Sequence, residues 1–359
     1  MEILLYLVIL LVTFYLMAQI VDEYFIDSLD KISSKLGLSS DAAGATLMAV
    51  GSSAPELFIA IFSLIKAFMD PGHEHETIGI GTIVGSALFN ILVITGATGV
   101  TRFTKLVWKD LMRDLIFYSI SIGLLIWAFH DFEISLMESL VFIIVYAVYT
   151  IVVINWHKIN KPAPSTANQG APISNEESKK EKHKEWRIIK KPLDKGIDVF
   201  FPNSENYYGV FIVSIVFIAL LSWGLVESAV QLSHIMHVPK AVIGLTVLAI
   251  GTSVPDLLSS VIVARQGRGE MAISNSIGSN IFDILIGLGL PWFITMIITG
   301  EVIDAKAQDL FISSLILFGS VLLIIGILAL RRWKLDYRSG MFFILVYGAY
   351  LMWEIIQLI

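Results

Sequence analysis

Long apolar runs separated by short polar stretches set the pattern of this chain. A run of about 20 residues is enough to cross the hydrocarbon core of a bilayer. Ten runs reach roughly that length, near 3–21, 41–65, 77–99, 107–129, 134–155, 208–230, 241–264, 271–298, 309–330 and 340–358. The pattern predicts an all-α membrane protein with ten transmembrane helices. The first run, MEILLYLVILLVTFYLMAQI, has neither a basic leading region nor a small-residue cleavage pattern, so it reads as a retained span and not a removed signal.

One stretch breaks the series. Residues 156–207 are rich in Pro, Ser, Lys and Glu, cannot bury a core, and read as a hydrophilic linker. They divide the chain into a first five-helix unit, 1–155, and a second, 208–359. Lys and Arg in the loops predict orientation. Lys31, Lys35, Arg102, Lys105, Lys109, the linker, Arg265, Arg268, Arg331, Arg332, Lys334 and Arg338 fall on one side; Lys66, Lys240 and Lys306 fall on the other, with the acidic loop MDPGHEHET. Both termini are therefore expected outside the cytosol, with the linker inside it.

Composition narrows the class. Hydrophobic residues make up 56% of the chain, charged residues 16%, and mean hydropathy is +0.77, which excludes an ordinary soluble enzyme. The net charge of −6, with basic residues confined to loops, implies no nucleic-acid surface. The absence of cysteine excludes disulfides, thiolate metal centres and cysteine nucleophiles.

Two spans carry groups that a plain membrane helix would not. GSSAPELF (51–58) and GTSVPDLL (251–258) each place a helix-breaking proline beside a carboxylate, Glu56 and Asp256. At this offset of 200 residues Gly44, Thr46, Ala49, Gly51, Ser53, Pro55 and Leu57 match Gly244, Thr246, Ala249, Gly251, Ser253, Pro255 and Leu257. A second pair of blocks, GSALFNIL (85–92) and GSNIFDIL (278–285), matches at an offset of 193. Five spans per unit is an odd number, so the second copy must enter the membrane from the opposite side. The reading is two inverted-topology five-helix repeats.

The chemistry of the blocks follows from helical spacing. Ser52 lies four residues before Glu56, Thr252 before Asp256, Ser86 before Asn90 and Ser279 before Asp283, so each pair shares a helix face. Pro55 frees backbone carbonyls about one turn earlier, at Ala49 and thereabouts. Such an all-oxygen set suits hard cations such as Ca²⁺ and Na⁺. Three carboxylates in symmetric mid-span positions weigh towards an ion site, because burying each costs about 2.5 kcal/mol or more. By contrast, Glu138, Glu227, Asp110 and Asp114 lie near span ends and read as interfacial or paired with neighbours such as Arg113. His73, Glu74, His75 and Glu76 read as a solvated loop.

GATLMAVGSSAPELF…IGIGTIVGSALFNIL and VIGLTVLAIGTSVPDLLSSVIVARQGRGEMAISNSIGSNIFDILIGLGLPW closely resemble the two alpha repeats of the cation/Ca²⁺ exchanger superfamily. The second stretch looks most like the K⁺-dependent Na⁺/Ca²⁺ exchangers. The resemblance covers about residues 42–99, the alpha-1 motif, and 241–292, the alpha-2 motif. It implies ten spans in two inverted halves, a midplane cation site and alternating access. Carried over by motif, the ligands are Glu56 and Asp256 flanked by Ser52, Ser53, Thr252 and Ser253. Ser86, Asn90, Ser279 and Asp283 complete the set, with carbonyls from Ala49 and Ala249. Asp283 stands where many K⁺-independent animal Na⁺/Ca²⁺ exchangers carry Asn, and the family associates that acid with K⁺.

The expected function is a secondary-active antiporter exchanging Na⁺ for Ca²⁺ across the plasma or inner membrane, with K⁺ as a further ion. The alternative is a Ca²⁺/H⁺ antiporter of the same fold. An intramembrane aspartyl protease needs two membrane acids, but its Gly-Asp motif is missing and the repeat has no role in it. Two inverted broken helices also speak against a channel. No enzyme activity, cofactor, nucleic acid or obligate protein partner is implied; the expected partners are the transported ions and the lipid bilayer.

Overall fold

A computed structural model describes residues 2–35, 49–70, 75–131, 133–159, 200–202, 206–265, 267, 269–304 and 308–357. Most of the expected linker, together with His73 and Glu74, lies outside the described residues.

The described chain is mostly helical. Helix α1 (Glu2–Ile20) runs through a π-helical turn at Val21–Phe25 into α2 (Ile26–Lys35). A short α3 (Ala49–Ser52) and α4 (Ala54–Met69) follow, then α5 (Glu76–Phe89), a π turn at Asn90–Ile94 and α6 (Thr95–Thr101). Strand β1 (Thr104–Lys105), α7 (Trp108–Ala128), β2 (Glu133–Ile134) and α8 (Leu136–Ile159) complete the first half. The second half opens with α9 (Tyr207–Met236), α10 (Lys240–Ile243), a π turn at Gly244–Leu248 and α11 (Ala249–Arg265). Then come α12 (Gly269–Phe282), a π turn at Asp283–Leu288, α13 (Gly289–Thr299), β3 (Ile303–Asp304), α14 (Gln308–Leu330), β4 (Lys334–Leu335) and α15 (Tyr337–Ile356).

Among the described residues, eight helices are long and apolar enough to cross a membrane. The count is nine if Lys240–Val254 and Asp256–Arg265, bent by 49°, form one broken span. The run at 41–65 lies partly outside the described residues, and its described part is α3 and α4. Helix α8 continues to Ile159, past the expected end at 155, and α9 extends to Met236, past 230. The spans are wrapped in apolar side chains, including Leu11, Ile151, Leu220, Leu322 and Leu345, all exposed at the surface of the protein. A surface of that kind is suited to lipid.

Local chemistry fixes the helix ends. Ser135 and Glu138 form a capping box at the start of α8: Ser135 N donates to Glu138 Oε2 at 2.8 Å, and Glu138 N to Ser135 Oγ at 3.3 Å. Asn206 Oδ1 caps α9 by accepting from Gly209 N at 3.1 Å, and Asp336 Oδ1 caps α15 by accepting from Ser339 N at 2.9 Å.

Two apolar clusters fill the interior. One joins α1 to α9 through Leu10, Met17, Ile20, Ile218, Leu225 and Ala229. The larger one gathers α5, α7, α8 and α12 to α15 around Ile83, Leu115, Phe142, Ile281, Leu317 and Phe343. Helix α5 crosses α10 with backbones nearly touching: a Cβ on Gly81 would stand 2.6 Å from Ala241 O, and one on Gly244 2.6 Å from Ile78 O. Only glycine permits that approach.

Several features of the two halves coincide. Helices α5 and α12 are each 14 residues long and pass into π turns that begin at Asn90 and Asp283, the same 193-residue offset as the sequence blocks. The short strands pair crosswise and antiparallel, β1 with β4 (Thr104↔Leu335) and β2 with β3 (Glu133↔Asp304). Contacts also gather the loops at two ends. Lys35 donates to Tyr207 Oη at 2.7 Å, Arg102 to Arg265 O at 2.9 Å, and Leu106 N to Trp333 O at 2.9 Å, so the basic segments share one end. At the other end Lys66 pairs with Glu227, and His75 Nε2 lies 3.0 Å from Asp70 Oδ2.

Candidate cation site

Each half breaks a helix beside its carboxylate. Pro55 sits in the first turn of α4, and Ser53 at the break between α3 and α4 has φ −93° and ψ 5°. The proline lacks the N–H that Gly51 O would otherwise accept four residues back. A backbone carbonyl is thereby released beside Ser52 and Ser53, with Ala49 at the start of α3. In the second half the bend falls between Val254 and Asp256, and Ala249 opens α11 directly after a π turn. Turns of that kind recur at functional positions in helices.

The sequence-predicted side chains converge. Ser52, Ser53, Glu56, Ser86, Asn90, Ala249, Thr252, Ser253, Asp256, Ser279 and Asp283 are all buried, none more than 8% exposed. Glu56, in the first turn of α4, faces the Thr252 and Ser86 hydroxyls from the other blocks. Ser86 Oγ and Ser253 Oγ stand 2.9 Å apart. Asp283 faces Ser53 and lies within electrostatic reach of both Glu56 and Asp256. First-half residues meet second-half residues where Glu56 faces Thr252, Ser86 faces Ser253 and Asp283 faces Ser53.

Proton accounting shows what the cluster can bind. Thr252 Oγ1 donates to Leu248 O at 3.1 Å, and Ser279 Oγ to Ser276 O at 3.0 Å. The Ser279 proton is spent on its own helix, which leaves lone pairs to face outward, whereas the Thr252 hydroxyl, also within 3.4 Å of Ala249 O, faces Glu56 as well. Glu56 Oε2, Asn90 Oδ1 and Asp283 Oδ1 are buried acceptors without a hydrogen-bond partner, and the buried Ser53 hydroxyl faces Asp283. Orphaned acceptors in a protein interior are costly, and a cation satisfies them. Among the described residues, no three His, Cys, Asp or Glu side chains form a metal-holding group. The carboxylates lie among buried hydroxyls and an amide, an all-oxygen set of the kind hard cations take.

The span-end acids behave differently. Asp114 is held by Arg113 (Nε to Oδ1 2.7 Å) and by Ser274 Oγ at 3.0 Å. Asp110 accepts from Trp156 Nε1 at 2.8 Å. Glu138 serves its own helix cap, and Glu227 is paired with Lys66 and accepts from Gln231 Nε2 at 3.0 Å.

Sequence reasoning missed Asn280, Ser276 and Tyr118. Asn280 Nδ2 donates to Ala87 O at 3.1 Å and Tyr118 Oη at 2.9 Å, while Asn280 Oδ1 accepts from Asn90 Nδ2 at 2.9 Å. Ser276 Oγ donates to Asn90 O at 3.0 Å. One signal was available: Asn280 and Ala87 occupy the same place in the two aligned blocks, a polar residue facing an apolar one across a gap of 193 residues.

The sequence profile of sodium/calcium exchanger proteins matches residues 6–155 and 206–356. The mouse (Mus musculus) sodium/potassium/calcium exchanger 4 is 29% identical, over 95% of this chain and 79% of that protein. The human (Homo sapiens) sodium/potassium/calcium exchanger 5 is 30% identical, over 96% of this chain and 81% of that protein. Among solved structures, the sodium-calcium exchanger NCX_Mj superposes with a TM-score of 0.56 at 21% identity, covering 99% of this chain and 97% of the other. The H⁺/Ca²⁺ exchanger CAX superposes with a TM-score of 0.67 at 13% identity, covering 99% and 80%. At those identities the likeness of structure speaks for the fold. This chain is a multi-pass membrane protein that belongs to the sodium/calcium exchanger protein family.

Proposed function

We propose that the protein is a secondary-active antiporter exchanging Na⁺ for Ca²⁺, with K⁺ as a further transported ion, by alternating access around one midplane site. The observation that carries this reading is the set of buried, unpartnered acceptors Glu56 Oε2, Asn90 Oδ1 and Asp283 Oδ1, drawn from both halves, with the Ser53 hydroxyl beside Asp283. Glu56, Asp256 and Asp283 supply the charge. Ser52, Ser53, Thr252, Ser253, Ser86, Ser279, Asn90 and the carbonyls at Ala49 and Ala249 supply the remaining oxygens. K⁺ enters from Asp283 and from the names of the curated relatives, both sodium/potassium/calcium exchangers.

The architecture that goes with this function is ten spans in two inverted five-helix repeats, 1–155 and 208–359. The shared offsets of α5 with α12 and the crosswise strand pairs support it. The membrane is the plasma or inner membrane, with both termini outside and the 156–207 linker in the cytosol. The gathering of basic loops at one end supports that orientation.

A Ca²⁺/H⁺ antiporter is the second reading, favoured by the unpartnered carboxylate oxygens of Glu56 and Asp283, which a proton satisfies as well as Na⁺ does. Ca²⁺ uptake into vesicles under imposed Na⁺, H⁺ and K⁺ gradients separates the two. Uptake driven by an outward Na⁺ gradient supports the first reading; uptake that follows only the pH gradient supports the second.

A further inference from the structure

Asn280 stands on α12, fully buried and three residues before Asp283. It is outside the ligand set described above. Its amide belongs to a chain of hydrogen bonds whose direction is fixed at one end. The Ala87 carbonyl can only accept, so the Asn280 atom 3.1 Å away must be the NH₂ group. That group also donates to Tyr118 Oη at 2.9 Å, whose own proton points to Ala87 O at 3.4 Å. With its nitrogen committed, Asn280 meets Asn90 through Oδ1, and Asn90 answers with Nδ2 at 2.9 Å.

The consequence lies at the far end of Asn90. An amide is planar, with its oxygen and nitrogen on opposite sides. Holding Nδ2 against Asn280 turns Oδ1 the other way, and that Oδ1 is buried without a donor. Ser276 Oγ, 3.0 Å from Asn90 O, ties the backbone of the same residue.

We infer that Asn280 is a positioning residue: through the relay Ala87–Asn280–Asn90 it holds Asn90 with its oxygen, not its NH₂, towards the transported cation, and so sets Ca²⁺ affinity. The inference rests on the reading of Asn90 as a cation ligand. Two amide orientations of equal shape differ only in which dipole end faces the ion, and the oxygen end attracts a cation where the N–H end repels it. Without Asn280, nothing in the relay distinguishes them. Partners of this kind, one step behind a ligand, typically govern 10–100-fold in metal affinity. A residue that merely ties α5 to α12 would change stability and leave affinity alone.

The test measures apparent Ca²⁺ affinity of the purified full chain from the rise in melting temperature with Ca²⁺ concentration, which needs no turnover. Wild type, Asn280→Ala, Asn90→Ala and the double variant are compared. Asn280→Ala is expected to weaken Ca²⁺ binding about tenfold and to have no further effect once Asn90 is alanine. Asn280→Leu, similar in size and unable to hydrogen-bond, is expected to match it and replaces it should the alanine variant not fold. Unchanged affinity in Asn280→Ala, or losses that multiply in the double variant, would overturn the relay. A wild-type protein that Ca²⁺ does not stabilise would instead overturn the transport reading beneath it.

Discussion

Ser86 on α5 and Ser253 on α11 hold their hydroxyl oxygens 2.9 Å apart, joining a block of the first half directly to a block of the second. The preceding residue makes the contact reachable. A Cβ on Gly85 would stand 2.6 Å from Ala249 Cβ and would collide with Leu245 O. Gly85→Ala must therefore push α5 away from α11 and open the Ser86–Ser253 pair. A loss of about 1–3 kcal/mol of stability is expected, together with weakened Ca²⁺ transport. Thermal unfolding in detergent measures the first effect, and an unchanged melting temperature would show that the crossing is looser than described.

Much of this arrangement was legible in the sequence, because membrane spans and prolines leave strong local signals. Residues 85–92 and 278–285 announced themselves as copies, and the structure begins a π turn at the same register in each, at Asn90 and Asp283. What the copies share was readable, and what makes them differ was not. Asn280 bonds to Ala87, its own counterpart, so its role depends on how two distant helices face each other. Glu227 was legible as a span-end acid, but its partner Lys66 lies 161 residues away and no periodicity points to it.

Asp283 tests charge balance. With Glu56, Asp256 and Asp283 ionised, the site carries about −3 in a region where uncompensated charge costs several kcal/mol. Three Na⁺ neutralise it, whereas Ca²⁺ alone leaves about −1 and calls for one more monovalent cation. Asp283→Asn is expected to keep Ca²⁺ flux and to lose any dependence on K⁺ or co-transported H⁺. Flux measured across a range of K⁺ and pH checks this, and an unaltered response in the variant would refute the charge argument.

His75 gives the protein a pH dependence away from the ion site. Burial pushes its imidazole below the usual histidine range, opposed by Asp70 at 3.0 Å and reinforced by Lys240 and Lys66; among the described residues Glu227 is a further charge within its electrostatic reach, and Glu76 is next in the chain. Between that depressed value and about 6.5, the unfolded chain binds more protons than the folded one, so stability rises with pH across the window. Acidification below about 6.5 is expected to lower the melting temperature, and His75→Gln is expected to flatten that slope. Parallel slopes for wild type and variant would assign the effect to other groups.

Topology can be read in cells. The native chain has no cysteine, so single cysteines at Ser165 or Ser178, both in the linker outside the described residues, report on one position each. Protection from a membrane-impermeant thiol reagent in intact cells, with labelling after permeabilisation, is the expected outcome. Labelling of intact cells would reverse the orientation.

The central claim is that Glu56 and Asp256, buried on two broken helices, carry Ca²⁺ through the membrane together. Glu56→Gln and Asp256→Asn each remove a charge and almost no volume, so the fold should survive while the site loses a ligand. The measurement is Na⁺-driven Ca²⁺ uptake into proteoliposomes holding equal amounts of wild type and each variant, with melting temperatures confirming that all three are folded. The account predicts robust uptake by the wild type and uptake at background for both variants. Near-wild-type Ca²⁺ flux in either folded variant would contradict it.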